Sequence, residues 1–343
     1  MHNFKLLNIK HRKLGHVMSP IEPNDYKVHR RIGIPMPLSV DLSSYCSPVK
    51  NQGDFNTCGA FAVLSTMELL ENKFNASNPV DLSEYFTYYI SRVLVDGESV
   101  PPPDDGVTFS SVLKSLVNYG TCTENLCKYN TKKINIPPSA QAYLNASSNQ
   151  IITYARFNDI FSVDESKLST TIDDIKMNLV SGYPLIAGFN CYSNIIDEMN
   201  GVIPLQNDEM IGAHGVSIVG YDDTKKLFKF KNSWGTRWGD QGYGYLPYEY
   251  YLKGDMYDVW SIYQEEIDNV NTGVPITNGL APQILQNEIN DVFDYIKLYY
   301  NHLLNSSNSD DLFLNLTTKY KDNTKLVAFI NSLKTEFNIL LLS

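Results

Sequence analysis

The chain has 343 residues, of which 43% are hydrophobic and 12% aromatic, and this composition is typical of a packed globular protein rather than a disordered one. Its formal net charge of -10 at pH 7 argues against a general nucleic-acid binder and against a binder of anionic membranes, because such proteins present basic surfaces. The sequence has no run of about 18 apolar residues, so it predicts no membrane-spanning helix.

Residues 1–37 differ from the rest of the chain and are predicted to be an N-terminal extension. They combine several lysines and arginines with four prolines, which oppose a long helix. They lack the continuous apolar core and the cleavage site of a secretory signal. We therefore expect a protein that is not secreted.

The first half of the following region predicts three helices. Residues 56–73 are densely apolar and contain no helix breaker, and residues 82–92 form a second helical stretch. A loop over 98–105 contains three consecutive prolines. It precedes a third helix over 109–119, which ends at Gly120.

The second half changes to short apolar or alternating segments, which are typical of strands. The predicted strands cover residues 184–189, 215–221, 227–231, 242–246 and 259–263. Helices first and strands later predict an α+β protein with two lobes rather than a doubly wound sheet.

A third composition begins near residue 268. Apolar residues recur at helical spacing over 283–304 and again over 325–342, so residues 268–343 are predicted to be a C-terminal helical extension. Packing against the rest of the chain or against a second copy is favoured over a partner-binding module, and both remain open.

The five cysteines are too few for a disulfide scaffold, and we expect them to be reduced. Cys122 and Cys127 are close enough in sequence to pair in an oxidising compartment. No second pair of cysteines or histidines stands at zinc-ligand spacing, so we expect no metal site.

Four residues have the chemistry of a thiol-based catalytic site. Cys58 lies in the first turn of the first helix, where unpaired backbone N–H groups favour a thiolate. His214 is the only histidine outside the two extensions, and an amide such as Asn232 can hold its ring in one tautomer. Gln52, six residues before Cys58, has an amide that can donate to an oxyanion. Each residue taken alone also fits a structural role.

The sequences around these residues match one family. They are Val-Lys-Asn-Gln-Gly over 49–53, Gly-Ala-His-Gly-Val over 212–216, and Lys-Asn-Ser-Trp-Gly-Thr-Arg-Trp-Gly-Asp-Gln-Gly-Tyr over 231–243. The chain therefore resembles the papain-like cysteine peptidases, the family that includes the cathepsins, over residues 38–263. We take residues 38–267 as the peptidase domain.

The resemblance implies a papain-like fold with a helical left lobe, an antiparallel β right lobe and a cleft between them. It implies that Cys58 is the nucleophile, His214 the general base and acid, and Asn232 the residue that orients the imidazole. Gln52 and the Cys58 N–H would form the oxyanion hole, and no cofactor is needed. In family members such a Cys–His pair holds the cysteine pKa at about 3 to 4.

The resemblance also suggests where a peptide would bind. Gly106 and Val107 stand where the family pairs with the substrate backbone in the manner of an added strand. Gly188 and Ala213 are expected near the pocket for the second residue upstream of the cut. Trp234 is expected to shield the contact between the catalytic amide and imidazole, and it completes the predicted substrate-binding set.

Some positions depart from the family pattern. Gly59 replaces the usual tryptophan after the nucleophile, and Phe55 replaces a cysteine that normally forms a disulfide, in agreement with a reduced compartment. These changes resemble the bacterial, archaeal and viral branch of the family, and we expect a cytoplasmic or virion-packaged protein. The chain lacks the paired histidines of carboxydipeptidase members, which favours an endopeptidase.

The N-terminal extension is too short for the long helical prosegment of lysosomal cathepsins. We hypothesise that it acts as a propeptide, which partly blocks the cleft and is removed or displaced on activation. The alternative is a leader without such a role.

Two other functions compete with hydrolysis of a peptide or protein substrate. An acyl transferase would use the same Cys–His pair but pass the acyl group to an amine instead of water. A non-catalytic interaction protein would keep the fold and bind a partner through the C-terminal helices. All four catalytic positions are filled, which argues against the second alternative.

Overall fold

A computed structural model describes residues 14–20, 36–74, 79–98, 102–130, 134–146, 148–151, 153–157, 165–197, 200–205 and 209–263, together with Thr318 and Lys321. The predicted C-terminal helical extension, 268–343, lies outside the described residues, except for Thr318 and Lys321. None of the described helices is long and apolar enough to cross a lipid bilayer.

The helical lobe contains the three predicted helices. They are α1 (Cys58–Phe74), α2 (Glu84–Ile90), which continues into a π-helical turn (Ser91–Val95), and α3 (Phe109–Asn118). A short fourth helix, α4 (Ala140–Ala146), was not predicted. The core of this lobe is formed by aliphatic and aromatic side chains of these helices, among them Leu64, Met67, Phe86, Tyr88, Val112, Leu113 and Tyr143.

Helix α1 lies at the centre of the protein. All thirteen residues from Cys58 to Leu70 are buried, so the helix has no solvent-exposed face over this length. A helix that is apolar all round in this way is surrounded by other elements. Its N-terminus is therefore held in a fixed position between the two lobes.

The second lobe is a seven-stranded antiparallel sheet. Its strands are β2 (Ser39–Asp41), β4 (Thr153–Arg156), β5 (Leu185–Tyr192), β6 (Met210–Asp222), β7 (Leu227–Lys231), β8 (Tyr243–Pro247) and β9 (Met256–Tyr263). The strand order is β4-β9-β5-β6-β7-β8, and β2 pairs with the end of β6. Helices α5 (Glu165–Val180) and α6 (Tyr248–Leu252) complete this lobe. The α+β two-lobe prediction is confirmed.

The N-terminal extension contributes a strand that the sequence did not predict. Strand β1 (His16–Val17) pairs in parallel with β3 (Val107–Thr108) in a two-stranded sheet. Two residues per strand give no alternation pattern, so hydrophobic periodicity cannot detect such elements.

A buried charge network links the lobes. The Lys50 Nζ lies 2.9 Å from the Glu68 Oε1 of α1 and 2.7 Å from the Glu84 Oε1 of α2. The Ser47 hydroxyl donates to Glu68 and accepts from the Lys231 Nζ at 2.7 Å. Lys231 is the last residue of β7, so the network extends into the sheet lobe. Burial raises the pKa of Glu84 and lowers that of Lys231.

We expect Lys50→Met to destabilise the protein by about 3 kcal/mol, because removal of one partner leaves two buried carboxylates without their counter-charge. The matched control is Lys225→Met, since Lys225 forms an exposed ion pair with Asp222. Its loss should change stability by less than about 0.5 kcal/mol. Denaturant unfolding of both variants measures the difference, and equal losses would contradict the structural role of Lys50.

Candidate active site

Cys58 is the first residue of α1 and is fully buried. The Thr57 carbonyl accepts the Phe61 N–H at 3.2 Å, which places Thr57 at the helix cap and the Cys58 thiol at the helix N-terminus. Burial raises the pKa of the Cys58 thiol to about 11, although four backbone N–H groups, including those of Gly215 and Gly15, favour the thiolate. Burial of the sulfur in this arrangement therefore opposes the low cysteine pKa that the family resemblance implies.

His214 lies on β6 and bonds directly to Asn232. The distance between the His214 Nε2 and the Asn232 Oδ1 is 2.8 Å, and both side chains are buried. The same Oδ1 accepts the backbone N–H of Ser233 at 2.7 Å. Because a backbone N–H can only donate, the atom facing it must be the amide oxygen, and the Asn232 side chain is fixed in this orientation.

This contact determines the histidine tautomer. The Oδ1 of an amide only accepts, so the neutral imidazole of His214 carries its proton on Nε2 and has its basic lone pair on Nδ1. Cys58 lies beside Gly215, the residue that follows His214, since the Gly215 N–H favours the Cys58 thiolate. The helix-tip thiol therefore lies beside the residue of β6 that directly follows the imidazole.

Trp234 covers the imidazole. Its indole stacks on the His214 ring with a centroid distance of 4.4 Å and an interplanar angle of 29°. Trp234 follows the end of β7 by three residues and forms an isolated bridge with Asn51, which holds it beside β6. Trp238 packs edge-on against Trp234 at 5.1 Å, so two indoles keep water from the bond between His214 and Asn232.

Gln52 is buried and joined to the same corner of the sheet lobe. Its Oε1 accepts the Ser233 hydroxyl at 2.5 Å and its backbone N–H donates to the Ser233 carbonyl at 2.8 Å. Its Nε2 donates to the Phe55 carbonyl at 2.9 Å. The side-chain amide of Gln52 has two N–H donors, and its orientation is fixed because both its oxygen and its nitrogen form hydrogen bonds.

Gly59 has a packing reason that the sequence alone did not reveal. A Cβ at this position would lie 3.0 Å from the Val107 Cγ2 and 3.3 Å from the Val107 carbonyl oxygen. Helix α1 therefore approaches strand β3 closely, and Val107 would have to shift by a few tenths of an ångström to admit any side chain at this position.

Residues 14–20, which we call the cleft segment, lie across this site. Gly15 forms a parallel bridge with Ala213, and the Ala213 N–H points at the Leu14 carbonyl at 3.4 Å. On the other side, His16 and Val17 pair with β3. The segment therefore contacts the backbones of both lobes.

Most of the predicted substrate-binding residues contact the cleft segment. A Cβ at Gly106 would lie 2.1 Å from the Gly15 carbonyl oxygen, and one at Gly188 would lie 2.4 Å from the His16 Nε2. Val107 pairs with His16 and Ala213 with Gly15, whereas Trp234 contacts His214 instead. Sequence analysis missed the position of His16, because it treated all of 1–37 as lying outside the folded body.

The cysteines of the described region are all free thiols. In the same region, no three His, Cys, Asp or Glu side chains come together in a way that could hold a metal ion. The polar groups that face the Cys58 sulfur include the backbone N–H groups of Cys58, Gly59, Gly215 and Gly15.

Comparison with known proteins places this arrangement in a family. A model of the papain family of cysteine proteases matches residues 36–255. An uncharacterized peptidase C1-like protein of Acanthamoeba polyphaga mimivirus is 32% identical over 249 residues, which are 70% of this chain and 74% of the viral protein.

Solved structures agree with this match. Xylellain, a cysteine protease from Xylella fastidiosa, matches with a TM-score of 0.64 at 27% identity. The match covers 74% of this chain and 97% of the xylellain chain. The proform of the ragweed pollen cysteine protease Amb a 11 shares the fold, with a TM-score of 0.52, 21% identity and 68% of each chain covered. Since the family match spans more than half of the residues, this chain belongs to the papain family of cysteine proteases.

Proposed function

We propose that the protein is an endopeptidase in which Cys58, His214, Asn232 and Gln52 perform the catalysis. The observation that carries this assignment is the 2.8 Å bond between the His214 Nε2 and the Asn232 Oδ1, covered by Trp234 and adjacent to the helix-tip thiol. A base held in one tautomer beside a nucleophile is the arrangement that covalent acyl transfer requires.

The proposed reaction has two steps. The Cys58 thiol transfers its proton to the His214 Nδ1, and the sulfur attacks the substrate carbonyl carbon. The oxyanion accepts hydrogen bonds from the Gln52 Nε2–H and the Cys58 N–H, and the imidazolium then protonates the leaving amine. In the second step His214 takes a proton from water, the hydroxide attacks the thioester, and the carboxylic acid product leaves with the thiol restored.

We further propose that the cleft segment holds the enzyme latent. Gly15 presents its N–H to the Cys58 sulfur, while its carbonyl lies against Gly106. A backbone N–H cannot be attacked by a thiolate, so a segment seated in this way blocks the site without being a substrate. Leu14 on one side of Gly15, and His16 and Val17 on the other, also contact the backbone of the cleft, which supports an endopeptidase that accepts an extended polypeptide.

The existence of a relative solved in its proform is consistent with this latency. The basic and proline-rich composition of residues 1–37 does not by itself support the proposed latency. The support comes from the described contacts, which are backbone pairing with β3 and Ala213 and the burial of His16.

The experiment that tests the catalytic proposal is labelling with an epoxide directed at active-site cysteines, read by peptide mapping and combined with a peptide-cleavage assay. In the chain carrying Gly15→Val, which opens the cleft, we expect one label, on Cys58, and cleavage that Cys58→Ala abolishes. The matched control is Cys127→Ala, a buried thiol in the helical lobe, which should retain both. If Cys58 is not labelled and no peptide is cleaved after displacement of the cleft segment, the result would favour a non-catalytic interaction protein. Products joined to an added amine would favour a transferase.

We expect Gly15→Val in the full chain to release the block. Asn56, which donates its N–H and its Nδ2–H to Asp104, would lie 2.2 Å from a Cβ at position 15, so the segment must move. Water then reaches Cys58 and its pKa falls, so the rate of alkylation at pH 7 should rise at least tenfold, since each unit of pKa is about tenfold in thiolate. The control is Met18→Val, an exposed residue of the same segment, which should leave the rate unchanged. An unchanged rate in Gly15→Val would contradict the block.

A further inference from the structure

The side chain of His16 fills a pocket at the boundary of the lobes, which we call the His16 pocket. The ring lies against Phe109 at a centroid distance of 4.3 Å and beside Tyr257 at 5.8 Å. A Cβ at Gly188 would lie 2.4 Å from the His16 Nε2, so the lack of a side chain there makes room for the imidazole. At the end of the pocket, the His16 Nε2 is 3.5 Å from the Asp258 Oδ2.

A β-bulge brings Asp258 into this position. Strand β5 pairs with β9 through Ile186–Trp260 and Gly188–Tyr257, so β9 has one extra residue between these pairs. Asp258 lies within the bulge and has a φ of 53°, which is uncommon for a residue with a side chain. Bulges of this kind redirect a side chain, and here the redirected group is a carboxylate that is only 2% exposed.

The two oxygens of Asp258 have different partners. Its Oδ1 accepts the Trp260 Nε1–H at 2.7 Å and an Arg156 N–H at 3.2 Å, and both donors belong to the sheet lobe. Its Oδ2 accepts the Ser19 N–H at 2.9 Å and the Ser19 hydroxyl at 2.8 Å, and it faces His16. Every contact described for Oδ2 therefore comes from the cleft segment.

Arg156 is held on the Oδ1 side. Its guanidinium lies over the Trp260 ring at 4.9 Å, and its other bonds run to the carbonyls of Pro20 and Ser19 at 2.9 and 3.2 Å. Burial raises the pKa of Asp258, but the donors around it, His16 first among them, bring that pKa below its ordinary value. The carboxylate is thus charged, and its Oδ2 faces the residues that occupy the cleft.

When the cleft segment leaves, Oδ2 loses the Ser19 donors and the imidazole. A buried carboxylate oxygen without a donor is unfavourable, and a ligand with N–H donors at this point removes that penalty. We propose that the His16 pocket selects a basic side chain of the substrate peptide (lysine, arginine or histidine), and that Asp258 is the specificity-determining residue. This inference rests on the proposed peptidase function and names the substrate class of the same site.

The first test uses the full chain carrying Gly15→Val and peptides that differ only at the second residue upstream of the cut. This residue is chosen because Gly188, which lines the His16 pocket, is expected near the pocket for it. Lysine is compared with norleucine, which has the same carbon chain without the ammonium group. We expect kcat/KM to favour lysine by at least about tenfold, as expected for a charge paired in a desolvated pocket. Asp258→Asn should remove this preference. Asp255→Asn is the control, because that carboxylate bonds to Tyr192 and Asn190 and should not affect the ratio. A preference for norleucine, or a ratio that Asp258→Asn leaves unchanged, would overturn the proposal.

The second test does not depend on turnover, because the cleft segment itself is the ligand. His16→Lys and His16→Met have side chains of similar length that differ in charge, and each is made in the otherwise unchanged chain. We expect alkylation of Cys58 to be at least about tenfold faster in His16→Met than in His16→Lys, since the apolar side chain removes the charged partner of Oδ2, leaves it only the Ser19 donors and loosens the segment. The difference should shrink in the Asp258→Asn background. Equal rates would overturn the proposal, whereas the expected rates without cleavage of any peptide would refute only the proposed hydrolysis.

Discussion

The hydrogen bond from His214 to Asn232 is the contact on which the site depends. It fixes the ring tautomer, and Asn232 cannot rotate without losing the donors of both His214 and Ser233. The bond is strong only if it is dry, and the stacked indole of Trp234 provides that cover. Asn232 directly follows β7, which pairs with the strand that carries His214, so one hairpin brings the amide to the imidazole.

The proposed nucleophile, Cys58, comes from the other lobe, and so the position of α1 matters as much as the hairpin. Its N-terminus is held by burial on all sides and by the network that joins Lys50, Glu68 and Lys231 across the lobes. The cleft segment then lies over the boundary, where burial raises the pKa of Cys58 and the Gly15 N–H opposes that rise. The proposed latency and the proposed catalysis therefore use the same surface, because most of the residues expected to bind a peptide are those that contact residues 14–20.

Much of the site could be predicted from local signals. Cys58 stands at the start of an apolar helix, and the Asn-Ser-Trp-Gly block places Asn232 and Trp234 after a strand. The contacts of the cleft segment could not be predicted, since Ser19 and Asp258 are 239 positions apart and no local pattern links them. Strand β9 was predicted to begin at residue 259, one residue past Asp258, because a bulge with an aspartate at positive φ interrupts the alternation.

The pH dependence of Cys58 alkylation, measured in the Gly15→Val chain with and without His214→Ala, is the most direct test of the central claim. If a dry, Asn232-oriented imidazole activates the thiol, alkylation should already be fast well below the ordinary thiol pKa of about 8.5, and His214→Ala should abolish this reactivity. A single ionisation near that ordinary value, identical with and without His214, would contradict the account.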